Sequence, residues 1–286
     1  MHFVDAKGIL SPPGSMNIYR GCTHGCIYCD SRSRCYGFTH DFEDIEVKRN
    51  APALLEAALR GKREKCMIGT GAMSDPYMHC EEKLQLTRRC LEIIDRYGFG
   101  AALQTKSTRV LRDLDLFESI NAKARCVIQM TLTTFDEDLC RLVEPHVSTT
   151  YERFQALMTL KEHRIPTFVW LTPVLPFIND SIENLRGILD YCAEAGVRGI
   201  ITFGGLTLRE GDREYFYQKL DEHFPGLKER YCAAYGNAYE LPLPDQARWW
   251  QVFDETCEKY GMISRADACF RELRRFPSLS EQTCLF

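Results

Sequence analysis

No stretch of the 286-residue chain approaches the roughly eighteen apolar residues a membrane-spanning helix needs, so none is expected. The opening run, Met1-His2-Phe3-Val4-Asp5-Ala6-Lys7, lacks a basic patch followed by an apolar segment. No secretory leader is read there, and a cytoplasmic location is expected. Surplus positive charge is missing too. A formal net charge of −4 argues against a strongly basic nucleic-acid binder, although a local basic face would not show in a sum. Internal repeats and low-complexity linkers are absent, which leaves one large domain, or one domain with an appendage. A hydrophobic content of 45% beside 27% charged residues suits a chain that buries a core without covalent staples.

Cysteine departs from this ordinary composition, with 14 residues. A disulfide scaffold does not suit so long a chain without a leader. Cys90, Cys126 and Cys192 fall within apolar patterns and read as small buried hydrophobes. The informative stretch runs from Asn17 to Asp30, where Cys22, Cys26 and Cys29 give the spacing C-x3-C-x2-C. Three thiolates can hold three irons of a cubane and leave the fourth iron open to a substrate or cofactor. Gly21 and Gly25 let such a loop wrap tightly. The same residues also admit a closed zinc site with His24, His40 or Cys35 as fourth ligand, or a redox pair at Cys26 and Cys29. Cys232, Cys257, Cys269 and Cys284 are too widely spaced for an auxiliary cluster.

The apolar pattern predicts six strands: Asn17–Tyr19, 65–69, 100–105, 126–132, 167–171 and 199–203. Helical spacing is read over 51–62, 82–97, 110–120, 150–163 and 182–195. Strands alternating with helices predict parallel βαβ units, and six of them suit an open, partial barrel with ligands at the carboxyl ends of the strands. The expected fold is therefore α/β, a partial (βα)6 TIM-like barrel. It would comprise a core over residues 1–210 with a cysteine loop over 20–38, and a mostly helical C-terminal extension over 211–286 packed on that core.

With Tyr28 between the second and third cysteines, the motif resembles the signature of the radical S-adenosylmethionine (SAM) superfamily. The resemblance extends along the chain to the spore photoproduct lyase-like branch. It is carried by Met73-Ser74-Asp75-Pro76-Tyr77, Glu81, Leu86-Thr87-Arg88, Thr105-Lys106-Ser107, Arg112-Asp113-Leu114-Asp115-Leu116, Glu144-Pro145 and the stretch Pro173 to Asp180. It implies an oxygen-sensitive [4Fe–4S] cluster on Cys22, Cys26 and Cys29, with SAM chelating the open iron. Reductive cleavage would then give a 5′-deoxyadenosyl radical that abstracts hydrogen from a substrate. It also implies a one-electron reductant such as flavodoxin or ferredoxin, and leaves room for a second radical SAM protein as partner.

By the same resemblance Lys106 contacts the SAM carboxylate, Thr131 offers a hydroxyl, Tyr28 approaches the adenine, and Ser74 and Asp75 contact SAM or shape its pocket. Plainer readings stand beside these. Asp75 before Pro76 would also cap a turn, Lys106 would also be a solvated loop lysine, and Asn179-Asp180 would also be a helix cap. The lyases place a hydrogen-donating cysteine two residues before their S-D pair and a tyrosine after the third cluster cysteine; here those positions hold Ala72 and Asp30. Cys35, Cys80 and Cys140 remain as other thiols. Aromatics from Tyr215 to Trp250 read as packing more readily than as base-stacking platforms. The substrate is thus unassigned. A DNA photolesion or nucleobase is the alternative, and a non-catalytic metal-binding interaction module the reading from another class.

Overall fold

The computed structural model describes residues 1–277. Among the described residues, six parallel strands form the main sheet: β1 (Ser15–Met16), β2 (Met67–Thr70), β3 (Gly100–Thr105), β4 (Cys126–Thr131), β5 (Thr167–Trp170) and β6 (Gly199–Ile201). They lie side by side in chain order, and the hairpin strand Leu10–Ser11 adds antiparallel to β1. Helices α1 (Ala51–Gly61), α2 (Leu86–Arg96), α3 (Leu114–Lys123), α4 (Thr150–Glu162) and α5 (Ile182–Glu194) make the crossovers. Their ends are written in the sequence. Pro52 opens α1, Thr149 and Glu152 form a reciprocal capping box on α4, and the Ser181 hydroxyl caps α5.

Strand residues alternate between two cores, as a sheet buried on both faces requires. Ile68, Leu103, Ile128, Met130, Val169 and Ile200 face the crossover helices. Met67, Ala102, Val127, Phe168 and Ile201 face the concave side, where Cys269 and Leu273 of the helix Ala266–Arg274 cover them. The lower part of the concavity is therefore filled, and polar residues lie nearer the carboxyl ends, where Trp170 Nε1 donates to Gln129 Oε1 at 2.9 Å.

Three expectations need correction, the first being the helix read over 110–120, which opens as a 3-10 turn, Thr108–Asp113, before α3 begins at Leu114. The strand read at Asn17–Tyr19 is split. Ser15 pairs with Gly69 in the main sheet, whereas Tyr19–Arg20 pairs antiparallel with Glu46–Lys48 in a small separate sheet shared with His2–Val4. Three apolar-leaning residues carry too little periodicity to show where the chain leaves one sheet for another. The helix read over 82–97 is broken at Gln85, whose φ is 48°. The buried Glu81 carboxylate accepts from Leu86 N and Thr87 N at 3.2 and 2.9 Å and so starts α2 afresh.

After β6 the chain forms a short hairpin, Gly205–Thr207 with Glu240–Pro242, and the helices Asp212–His223, Leu227–Tyr235, Gln246–Tyr260 and Ala266–Arg274. Leu206, Leu208, Phe216, Leu220, Tyr231 and Leu241 pack on Cys26, Ile27 and Tyr28. Tyr231 is buried within this packing and Trp249 within the main core beside Phe253, as the plainer reading of the aromatics expects. Among the described residues no helix is long and apolar enough to cross a membrane. Cys284 lies outside the described residues.

Candidate active site

The loops leaving β1, β2, β3 and β4 meet above the carboxyl ends of the strands, the usual place for a ligand in parallel sheets. The loop after β1 carries Cys22, Cys26 and Cys29. None of the three is in a disulfide; Cys22 and Cys26 are buried and Cys29 nearly so. Tight packing holds this loop in place. A Cβ on Gly21 would lie 2.4 Å from the Phe42 carbonyl oxygen, and Gly21 has φ of +87°, so glycine is required there. Ile27 N donates to the Val143 carbonyl at 3.0 Å, and Arg34 N to that of Glu210 at 2.9 Å.

Burial pushes the Cys22 thiol up to about 12, and it also raises Cys26 and Cys29. Without metal these sulfurs keep their protons; a metal group takes the place of those protons when it binds. The sulfurs do not gather into a compact site. Among the described residues, the only group of three metal-capable donors within 4.8 Å of one another is elsewhere in the chain. A tetrahedral zinc ion with Zn–S bonds near 2.3 Å would need its sulfurs about 3.8 Å apart. A cubane holds its thiolates further apart. The closed zinc set with His24, His40 or Cys35 is not formed, and Cys35 Sγ instead lies 3.4 Å from Arg209 Nη1. Three cysteine sulfurs on one buried loop are a donor set of the kind an iron–sulfur cluster takes.

Ser74 and Asp75, after β2, bond within the chain. Ser74 Oγ donates to the Tyr19 carbonyl at 2.7 Å. Asp75 accepts from Tyr77 N at 2.8 Å, the turn-capping contact, but also from Thr105 Oγ1 and Lys106 N, both at 2.7 Å. Its Oδ2 lies 3.5 Å from Nδ1 of His24. Asp75 thus joins the cysteine loop to the end of β3. His24 is buried, which lowers its basicity, and its Nε2 has no partner.

Lys106 directly follows β3. It is no solvated lysine: its side chain is 18% exposed, Nζ lies 3.8 Å from Glu144 Oε1, and it sits 5.7 Å from the centre of the Tyr28 ring. Thr131 ends β4, buried, with its Oγ1 unpartnered. A buried hydroxyl without a partner is costly, and a bound polar ligand would relieve it.

Glu144 and Arg153 form a buried pair that the sequence reading did not single out as site residues. Arg153 Nη2 donates to Glu144 Oε2 at 2.5 Å, and Nη1 donates to the Thr131 carbonyl at 2.7 Å. The Tyr28 hydroxyl donates to Glu144 Oε1, with Thr133 Oγ1 3.4 Å from the same oxygen. Burial would raise the Glu144 carboxyl, but Arg153 and Lys106 outweigh it and hold the group below the usual range. Burial and the neighbouring carboxylate drive Tyr28 well up, so it stays a phenol. The Glu144-Pro145 pair was a signal for this residue, whereas Arg153 follows charged Glu152 in a helix, where an arginine reads as surface. Asn179 is not a helix cap, since Ser181 has that role. Its amide donates to the Thr133 carbonyl at 2.8 Å and accepts from Leu175 N at 2.6 Å, tying the loop after β5 to the one after β4.

A model of the radical SAM superfamily matches residues 16–186. An uncharacterized protein of Mycobacterium tuberculosis is 31% identical over 241 residues, covering 80% of this chain and 68% of that one. An uncharacterized protein of Methanocaldococcus jannaschii is 31% identical over 192 residues, covering 64% and 71%. Among solved structures, spore photoproduct lyase complexed with dinucleoside spore photoproduct aligns with a TM-score of 0.64 at 13% identity, over 92% of this chain and 78% of the lyase. A variant of that lyase with bound AdoMet and the dinucleoside aligns at 0.62 and 14% identity, over 86% and 74%. That likeness is one of fold, and it agrees with the branch that the motifs resemble. The chain belongs to the radical SAM superfamily, whose enzymes work with a [4Fe–4S] cluster and S-adenosylmethionine.

Proposed function

We propose that this chain binds a [4Fe–4S] cluster through Cys22, Cys26 and Cys29 and cleaves SAM reductively, so that hydrogen is abstracted from a substrate held above the strands. The observation that carries this reading is the linked polar floor beneath the cysteine loop. It joins Tyr28, Lys106 and Thr131 through Glu144 and Arg153 and leaves the Thr131 hydroxyl free for a ligand. A bound cluster would supply the single electron that reductive cleavage of a carbon–sulfur bond of SAM consumes.

The chain's own residues do the rest. Cys22, Cys26 and Cys29 would hold the cluster through their thiolates. Lys106 offers its ammonium to the SAM carboxylate, and Thr131 offers a hydroxyl. Tyr28 presents a ring fixed through its own hydroxyl. Ser74 and Asp75 act one layer out by fixing the ends of the strands and the cysteine loop. Burial of the floor excludes water, which strengthens these contacts. A small reductant such as flavodoxin or ferredoxin supplies the electron.

The substrate stays open. Ala72 and Asp30 stand where the lyases place cysteine and tyrosine, and Asp30 accepts from Tyr36 at 2.6 Å. Cys140 is buried against Arg153 at 3.1 Å, a packed position. The test is anaerobic reconstitution, dithionite reduction and mass spectrometry of 5′-deoxyadenosine, with and without ultraviolet-irradiated DNA. Deoxyadenosine formed by the wild type and lost in Cys22→Ala supports the proposal. A reconstituted protein that forms none overturns it.

A further inference from the structure

The donor group apart from the cysteine loop is His2, His40 and Asp44, each bringing one donor atom within 4.8 Å of the others. We propose that these three side chains form a binding site for a zinc-type divalent cation, independent of the cluster.

The chemistry of His40 is the first argument. Its Nδ1 lies 2.9 Å from the carbonyl oxygen of Asp41, a contact that requires Nδ1 to carry the proton and donate. Nε2 is then left with its lone pair, and it is buried without a partner. A ring held by a carbonyl at one nitrogen, with the other nitrogen bare, is how metal-binding histidines are fixed in tautomer and orientation. An apolar wall would leave that lone pair unsatisfied, whereas a cation would use it.

The neighbours complete a coherent donor set. His2 Nδ1 lies 2.9 Å from Asp44 Oδ2. Ligands of one zinc ion at bonds of 2.0–2.2 Å stand about 3.3 Å apart, so a small shift turns this contact into shared coordination. Asp44 Oδ1 takes the Met1 amino group at 2.5 Å, which leaves Oδ2 as the oxygen on offer. The His2 and His40 rings stand nearly perpendicular, with centroids 4.8 Å apart. Two imidazoles and a carboxylate suit zinc, cobalt or nickel; calcium and magnesium would require more oxygens. His2 and Asp44 are 40% and 42% exposed, so water can fill the remaining position.

The location gives the ion a role. His2 lies in the strand His2–Val4, which pairs with Glu46–Lys48. His40 and Asp44 flank Phe42, whose carbonyl accepts from Cys22 N at 3.2 Å. An ion here would staple the first strand to the segment that supports the first cluster cysteine.

The test uses tag-free, cluster-loaded protein stripped of loosely held metal and titrated with zinc against a chromophoric chelator. Cobalt serves as a spectroscopic substitute, and iron is measured in the same samples. One equivalent of zinc should bind, with a melting temperature that rises to saturation. In His40→Ala and Asp44→Asn the affinity should fall by about tenfold or more, with cluster iron unchanged. Cobalt should show visible bands of low-symmetry nitrogen–oxygen coordination that both variants lose. Should His40→Ala not fold, His2→Ala on its edge strand gives the same comparison. Zinc uptake that is absent, or equal in wild type and variants, overturns the site, and the iron content shows separately whether the cluster assignment stands.

Discussion

The Tyr28 hydroxyl donates to Glu144 Oε1, so the middle of the cysteine loop rests on a carboxylate that Arg153 holds from the other side. Both members of that ion pair are fully buried. Such a pair has little net value against an apolar replacement, but breaking it strands a charge. Glu144→Ala should therefore destabilise the protein by about 3–5 kcal/mol. Tyr28→Phe removes one hydrogen bond to a charged group and should cost about 1.5–3 kcal/mol. Urea denaturation of the cluster-free chain measures both. Equal losses would mean that Arg153 finds another partner when Glu144 is gone.

Much of this arrangement was legible in the sequence, for identifiable reasons. β2 to β6 are short apolar runs between turn residues, and each was located to within a few residues of its observed span. The cysteine spacing is a local motif, whereas Lys106 after β3 and Thr131 at the end of β4 are singled out through the family resemblance. The rest depended on contacts between distant segments. Nothing local shows that Arg153, in a helix beside charged Glu152, points inward to Thr131 and Glu144. Nor does Tyr19 reveal that it pairs with Glu46–Lys48, nor Gln85 that its backbone turns left-handed while the Glu81 carboxylate restarts a helix. The convergence of His2 with His40 and Asp44 spans some forty residues with no spacing rule to signal it.

Lys106 lies 3.8 Å from Glu144 and is largely shielded from solvent, so its ammonium is held within the site before any ligand arrives. Lys106→Met keeps the length and removes the charge. SAM affinity should fall by about 10- to 100-fold, the range for one hydrogen bond to a charged group. Iron content should stay at the wild-type level. Equilibrium dialysis with labelled SAM, beside iron analysis, separates the two. A loss of iron would place Lys106 in support of the loop rather than in cofactor binding.

Asp212 begins the helix behind the cysteine loop, with Oδ1 accepting from Arg209 N at 3.0 Å and Oδ2 buried without a partner. Burial raises its carboxyl from an ordinary 3.8 to about 6. The folded state therefore holds a proton that the unfolded chain has released between those values, and stability falls as pH rises through that window. Asp212→Asn keeps the acceptor and removes the charge. It should stabilise the protein by about 1 kcal/mol at pH 7.5, the helix-start charge offsetting part of the gain. Below about pH 4 the two proteins should converge. Urea midpoints across that range test this, and a variant that is less stable at pH 7.5 would contradict it.

Thr131→Val distinguishes a ligand-binding residue from a structural one. The Thr131 hydroxyl is buried and has no partner, while its carbonyl accepts from Arg153 at 2.7 Å. Valine has nearly the same shape, keeps that carbonyl and suits a strand. Removing an unsatisfied buried hydroxyl does no harm to the empty protein, so the unfolding free energy from urea denaturation should hold or rise by up to about 1 kcal/mol. If the hydroxyl serves SAM, the same change should weaken SAM binding by about 5- to 10-fold, the value of one neutral hydrogen bond. A structural threonine would give the reverse, lower stability with SAM binding unaffected. The two measurements on one variant therefore give opposite patterns, and only the first is compatible with a cofactor site at the end of β4.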